Sequence, residues 1–231
     1  LTDGLFWQAI RNNLILLLLA VVIPVGVGLV LAVLLASIPW GRTFFRAILF
    51  LPAIFSGVVV AYVWGWIFHP QTGLLNTLLD TVGLEFLKLS WLGNPTLALY
   101  AVFLAYAWAS YGYSMVIFLA GLQSIDPMLY EAAVIDGANA LQRFRHITIP
   151  GLHDTFTFVI TLRIISSIGI FAIVFILTGG GPYFATMVLE VYVYGLLSEF
   201  RWGVASAAAT FQALIVMILT FFFMRQRERE V

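Results

Sequence analysis

The 231-residue chain is 62% hydrophobic and only 10% charged, with 11 basic residues against 11 acidic ones. Soluble domains are roughly half apolar and a quarter charged, so this composition places the chain in a bilayer. It has no cysteine, which excludes disulfides, thiolate metal sites and thiol nucleophiles, and no Gly-Lys-Ser/Thr triplet, which excludes a phosphate-binding loop and ATPase activity of that kind.

Residues 1–13 are too polar to span, and no basic region precedes a short apolar core, so they do not read as a signal peptide. Five runs are long enough to cross at about 20 residues each: 14–36, 45–68, 96–122, 155–178 and 203–224. Between the second and third, residues 72–83 alternate as a short amphipathic helix with Leu74, Leu75, Leu78 and Leu79 on one face. Trp7, Trp64, Trp66, Trp91 and Trp202 lie near span ends, where tryptophan anchors to the interface. The third span carries Tyr106, Ser110, Tyr111, Tyr113 and Ser114. Rings beside hydroxyls suit a sugar, and with Ser56 and Ser167 these are candidate pathway residues; the competing reading is polar glue between helices. Ser166, Thr210 and Gln212 are weaker candidates of the same kind.

Residues 124–152 form a polar island that reads as two short helices back to back. Asp126-Pro127 is a start signal, Gly137 a stop, and Asn139 with Gln142 can cap a second helix whose last turn holds Arg143, Arg145 and His146. Pro150 is expected to open the next apolar segment. Within that segment Arg163 stands about 22 Å from Thr178 at 1.5 Å per residue, near the elbow-side interface, where it snorkels, pairs with an adjacent helix or gates. Residues 179–202 open with three glycines and a proline and suit a tight re-entry. The histidines and the acids Glu85, Glu190 and Glu199 form no cluster that would make an enzyme site.

Placing loops 37–44, 123–152 and 225–231 on one side gives that side Arg42, Arg143, Arg145, Arg225, Arg227 and Arg229, with Arg46 close by, against Arg11, Lys88 and Arg201. The positive-inside rule then puts the elbow and the C-terminus in the cytoplasm and residue 1 outside. The odd helix number and the leading Leu predict a further N-terminal helix.

Glu131-Ala132-Ala133, three residues, Gly137, nine residues, Ile147, one residue, Ile149 and Pro150 resemble the EAA loop of ABC-importer permease subunits, with Ile149 where the family usually has leucine. Phe50-Leu51-Pro52, Gly73-Leu74-Leu75-Asn76 with Trp91-Leu92-Gly93-Asn94-Pro95, and Leu177-Thr178-Gly179-Gly180-Gly181-Pro182 resemble the carbohydrate-uptake branch. The resemblance implies an all-α polytopic membrane bundle of six or more helices, five of them here, forming a single permease domain with a cytoplasmic coupling loop at 124–152. It implies a bacterial-type cytoplasmic membrane, a second permease subunit, two ATPase subunits that hold the ATP and magnesium, an extracytoplasmic solute-binding protein and a sugar, polyol or sugar phosphate as substrate. No cofactor on this chain and no nucleic-acid partner are expected. Tyr130, Glu131, Ala132, Ala133, Asp136, Gly137, Arg143 and Pro150 would form the ATPase contact, Glu131 facing an arginine. An amino-acid or peptide importer is the alternative within the family. An ion-coupled transporter would need buried acids that the five runs lack.

Overall fold

The structure, a computed structural model, describes residues 3–227, apart from the side chains of residues 167, 168 and 227. All regular elements among the described residues are helical. Three helices are long and apolar enough to cross a membrane: α1 (Gly4–Ser37), α5 (Ala98–Gln123) and α12 (Trp202–Arg227). Two further crossings are broken. Helices α2 (Arg42–Ile54) and α3 (Gly57–Ile67) meet at 95°, and α9 (His153–Ser166) and α10 (Phe171–Thr178) meet at 46° across a 3₁₀ turn, Ser167–Ile170. Counting each bent pair as one crossing gives up to five, the expected number, and two of these are not single rods. Hydropathy averages over a window and cannot see a break at one or two residues. Here the local chemistry decides: Phe55 is extended, and the Ser56 hydroxyl accepts the Val59 N–H, so a new helix starts inside an unbroken apolar run.

The first helix begins ten residues earlier than hydropathy alone indicates. Asp3 caps it by accepting the Leu5 N–H at 2.9 Å. The polar residues that lowered the hydropathy are spent on the Gly-rich loop after α10. Gln8 donates to Phe184 O at 2.8 Å, and Asn12 donates to Ala185 O and Met187 O at 3.0 and 2.8 Å. The Asn13 carboxamide oxygen accepts the Leu189 N–H at 2.8 Å. Residues 4–13 are therefore helix with one polar edge, not a loop. Loop carbonyls packed against a helix must find donors, and α1 supplies them.

The amphipathic stretch forms α4 (Leu74–Thr81), but its buried residue is polar. Leu74 and Leu78 are exposed, while the Asn76 carboxamide donates to Pro70 O and Leu89 O and accepts the Trp91 indole N–H at 2.9 Å. Trp91 is thus a cross-loop tie as well as an interfacial ring. After the loop, α11 (Leu189–Ser198) packs against α12 and α1. That helix stands where only a re-entrant loop was expected.

The core divides into two clusters. The one away from the elbow joins Phe6, Val60, Val102, Ile173, Val188 and Ala205, and the elbow-side one joins Leu29, Met115, Phe118, Ile125, Leu152 and Val159. Broken spans partition accordingly: α3 packs on α10 and α2 on α5. Replacing Asn76 by Ala should leave an indole N–H and two carbonyls unpaired and cost about 1–3 kcal/mol, read as a lowered thermal midpoint in detergent.

Candidate functional site

The elbow's two helices are held by local bonds that the residue pattern anticipates. Asp126 accepts the Met128 N–H at 2.9 Å and Pro127 opens α6 (Pro127–Ile135). Gly137 lies at φ +79°, and the paired bonds Ala138 N–H to Ala133 O and Gly137 N–H to Val134 O close the helix end. Asn139 and Gln142 form a reciprocal capping box at 2.9 and 2.8 Å, starting α7 (Ala140–Arg143). A wide π turn at Phe144–Thr148 carries the helix into α8 (Ile149–Gly151). Pro150 therefore does not open the next span. It sits in the first turn of α8, where a missing N–H is tolerated, and α9 starts three residues later.

Two features make the elbow a rigid unit fixed to the bundle. The Tyr130 hydroxyl bonds the Thr148 hydroxyl at 2.9 Å, tying its first helix to its second. At its base Leu152 is fully buried, the Phe118 and Phe156 rings meet at 4.8 Å, and Gly121 and Gly151 allow Thr155 and Ile125 to approach closely. The outer surface is left bare. Glu131 and Ala132 are exposed, and so are Met128, Ile135 (86%) and Leu141. A cleft of about 350 Å³ between the two helices is lined by Ala133, Asp136, Gly137, Gln142, Arg143 and His146. Of the expected coupling residues, Tyr130 points inward as the tie. The remaining seven lie on the elbow, with Glu131, Ala132, Asp136, Gly137 and Pro150 exposed and Ala133 and Arg143 half-buried.

The seven pathway candidates do not form one cluster. Arg163 is only 5% exposed, and its Nε donates to Ser114 Oγ at 3.2 Å and its Nη2 to Ser110 O at 2.9 Å. It pairs with α5 rather than snorkelling. The Ser110 hydroxyl donates back to Tyr106 O along α5, while Ser110 O and Ser114 Oγ are the groups engaged by α9. Tyr113 donates to Ala53 O at 3.0 Å, tying α5 to the end of α2. Tyr106 faces Ser166 at 3.4 Å, and Tyr111 is half-buried. Ser56 is exposed at the first break, beside the stacked rings of Phe55 and Trp108. The Ser167 side chain lies outside the described residues. Among the weaker candidates, Thr210 bonds back to Ser206 O along its own helix and Gln212 donates to Glu190.

Glu190 is the residue that reading the chain missed. It is half-buried on α11, bonded by Gln212 and Asn13, and desolvation pushes its carboxyl above the usual range. Its partners lie 22 positions away at Gln212 and far earlier in the chain at Asn13, beyond the reach of a local signal.

Residues 8–231 match the family described as binding-protein-dependent transport system inner membrane component. The chain belongs to that family. It is 36% identical over 231 residues to a "probable ABC transporter permease protein" of Pyrococcus horikoshii, covering 99% of this chain and 79% of that one. It is 30% identical to the trehalose/maltose transport system permease protein MalF of Thermococcus litoralis, covering 95% and 74%. A crystal structure of a bacterial ABC transporter for import of the acidic polysaccharide alginate superposes with a TM-score of 0.89 at 27% identity, over 99% of this chain and 80% of the other. As a member, this permease is a membrane-embedded transport component. Gly137→Ala should cost about 1 kcal/mol, the strain of a side chain at positive φ, and increase amide exchange across residues 127–138 in hydrogen-exchange mass spectrometry.

Proposed function

We propose that this permease is one of two membrane subunits of an ATP-driven importer for a sugar or a related polyol or sugar phosphate, fed by an extracytoplasmic binding protein. Its elbow lies in the cytoplasm and is gripped by one of two separate ATPase subunits. The observation that carries this is the elbow itself: a capped, boxed and internally tied unit that exposes Met128, Ile135 and Leu141 around Glu131. Exposed apolar side chains ringed by charge on a rigid element mark a protein contact. The chain has no phosphate-binding loop of its own, so hydrolysis falls to the partner that makes this contact. The substrate class is supported by relatives named for trehalose/maltose, xylose/arabinose and alginate transport. An amino-acid transporter shares the fold at 20% identity and a TM-score of 0.60, which speaks to architecture alone.

Substrate contacts belong near the two breaks, because interrupted helices present free backbone groups and side chains at mid-membrane. Phe55 and Trp108 offer ring faces beside Ser56, and Tyr106 and Ser166 offer hydroxyls at the second break. Tyr106→Ala should therefore alter uptake of one sugar relative to another in a competition assay with the complex still assembled. Equal loss for every sugar would instead indicate a role in packing.

The coupling role has a sharper test. Truncating one member of a partly dehydrated interfacial ion pair costs about 2–5 kcal/mol. Glu131→Ala should accordingly weaken the ATPase hold by roughly 30- to 4,000-fold, at 1.4 kcal/mol per tenfold. Glu131→Lys should be worse and be partly rescued by reversing the arginine opposite. Normal uptake and normal substrate-stimulated hydrolysis in Glu131→Lys would overturn the reading.

A further inference from the structure

Several close contacts converge on one turn of α5. Arg163, four residues before the α9–α10 break, is bound to Ser110 O and Ser114 Oγ. Ala53, two residues before the extended Phe55 of the α2–α3 break, is bound through its carbonyl to the Tyr113 hydroxyl. Gly112 lets α2 come close, since a Cβ there would meet Ala53 Cβ at 3.1 Å and the Phe50 ring at 3.3 Å. Gly28 lets α1 press on Ser114 from another side.

Beyond the breaks, the far halves α3 and α10 pack on each other more extensively than either packs on α5. A Cβ on Gly57, the first residue of α3, would sit 3.3 Å from Ala172 Cβ at the start of α10, so the two breaks lie side by side. The turn Ser110–Ser114 also falls between the two core clusters, one reaching Ala107 on α5 and the other beginning at Met115.

We propose that Arg163 is a positioning residue of a clasp, with Ser110, Tyr113 and Ser114, that makes α2, α5, the elbow and α9 one rigid body. The paired halves α3 and α10 are then the second body, and the two breaks are the hinge between them. Movement imposed at the elbow is carried undiminished past Arg163 and is released only at Ser56 and at 167–170. The guanidinium suits this task because it reaches a carbonyl and a hydroxyl in fixed directions, and among the described residues no carboxylate competes for it. This rests on the elbow being the contact for the ATPase.

The chain has no cysteine, so spin labels can be placed at introduced sites without background. Labels at Ala120 on α5, Ile165 on α9 and Phe175 on α10 all point to exposed positions. In the assembled transporter, compared without nucleotide and after trapping with MgATP and vanadate, the 120–165 distance should stay constant while 120–175 changes. In Arg163→Met the 120–165 distribution should broaden, and sugar moved per ATP hydrolysed should fall about tenfold with the ATPase still co-purifying. Arg163→Lys should recover part of that ratio, and Ser114→Ala should lose part of it. If 120–165 in the wild type shifts as much as 120–175, or if Arg163→Met transports with unchanged stoichiometry, the clasp is overturned and the elbow reading stands. If neither distance responds to nucleotide, both fall together.

Discussion

A guanidinium carries five N–H donors and no acceptor, and hydrocarbon offers it nothing. Arg163 is placed where two acceptors of α5 are within 3.2 Å. Satisfying it fixes both the depth and the rotation of α9 against α5. Because the elbow joins these two helices, the same contact sets where the elbow sits. The glycines at 121 and 151 then let the stems of the hairpin close to side-chain contact, and Leu152 fills the space between. A buried cation among neutral partners is a costly way to join two helices. It gives a direction that apolar packing alone does not, since a leucine could slide by a turn and a two-point hydrogen-bonded fork cannot.

How much of this was readable from the residues depended on range. The elbow was legible almost to the residue because caps, boxes and glycine stops act over three to five positions: Asp126, Gly137, Asn139 and Gln142 each do what their types favour. Its tie, Tyr130 to Thr148, was legible as a position and not as a role. The number of crossings was also legible, since apolar length is a local sum. Their breaks were not, because Phe55-Ser56 is as compatible with a continuing helix as with a new one until α10 packs beside it. Serine and tyrosine on α5 were ambiguous for a chemical reason. A hydroxyl that can bind a sugar can equally bind a neighbouring helix, and only the placement of Arg163 and Ala53 shows that Ser114 and Tyr113 are occupied.

The bundle also shows how polar groups can be tolerated inside an apolar chain without forming a reaction centre. Glu190 is covered on one side by Gln212 and on another by Asn13, and burial raises its carboxyl above the usual range. Asn76 plays the corresponding part between α4 and the loop that follows it, with three bonds from one carboxamide. Neither residue faces a second titratable group.

The row of carboxamides on α1 has a consequence for how the protein is made. Gln8, Asn12 and Asn13 meet partners 173 to 176 positions further along the chain. At about 5–20 residues per second, synthesis delivers those carbonyls many seconds after α1 has left the ribosome. Through that interval the first turns of α1 hold polar side chains that have no protein to bind, and lipid cannot substitute for it. The N-terminal end of α1 therefore finds these partners only when the Gly-rich loop arrives. The polar edge of α1 is completed only after residues 184–189 have been made.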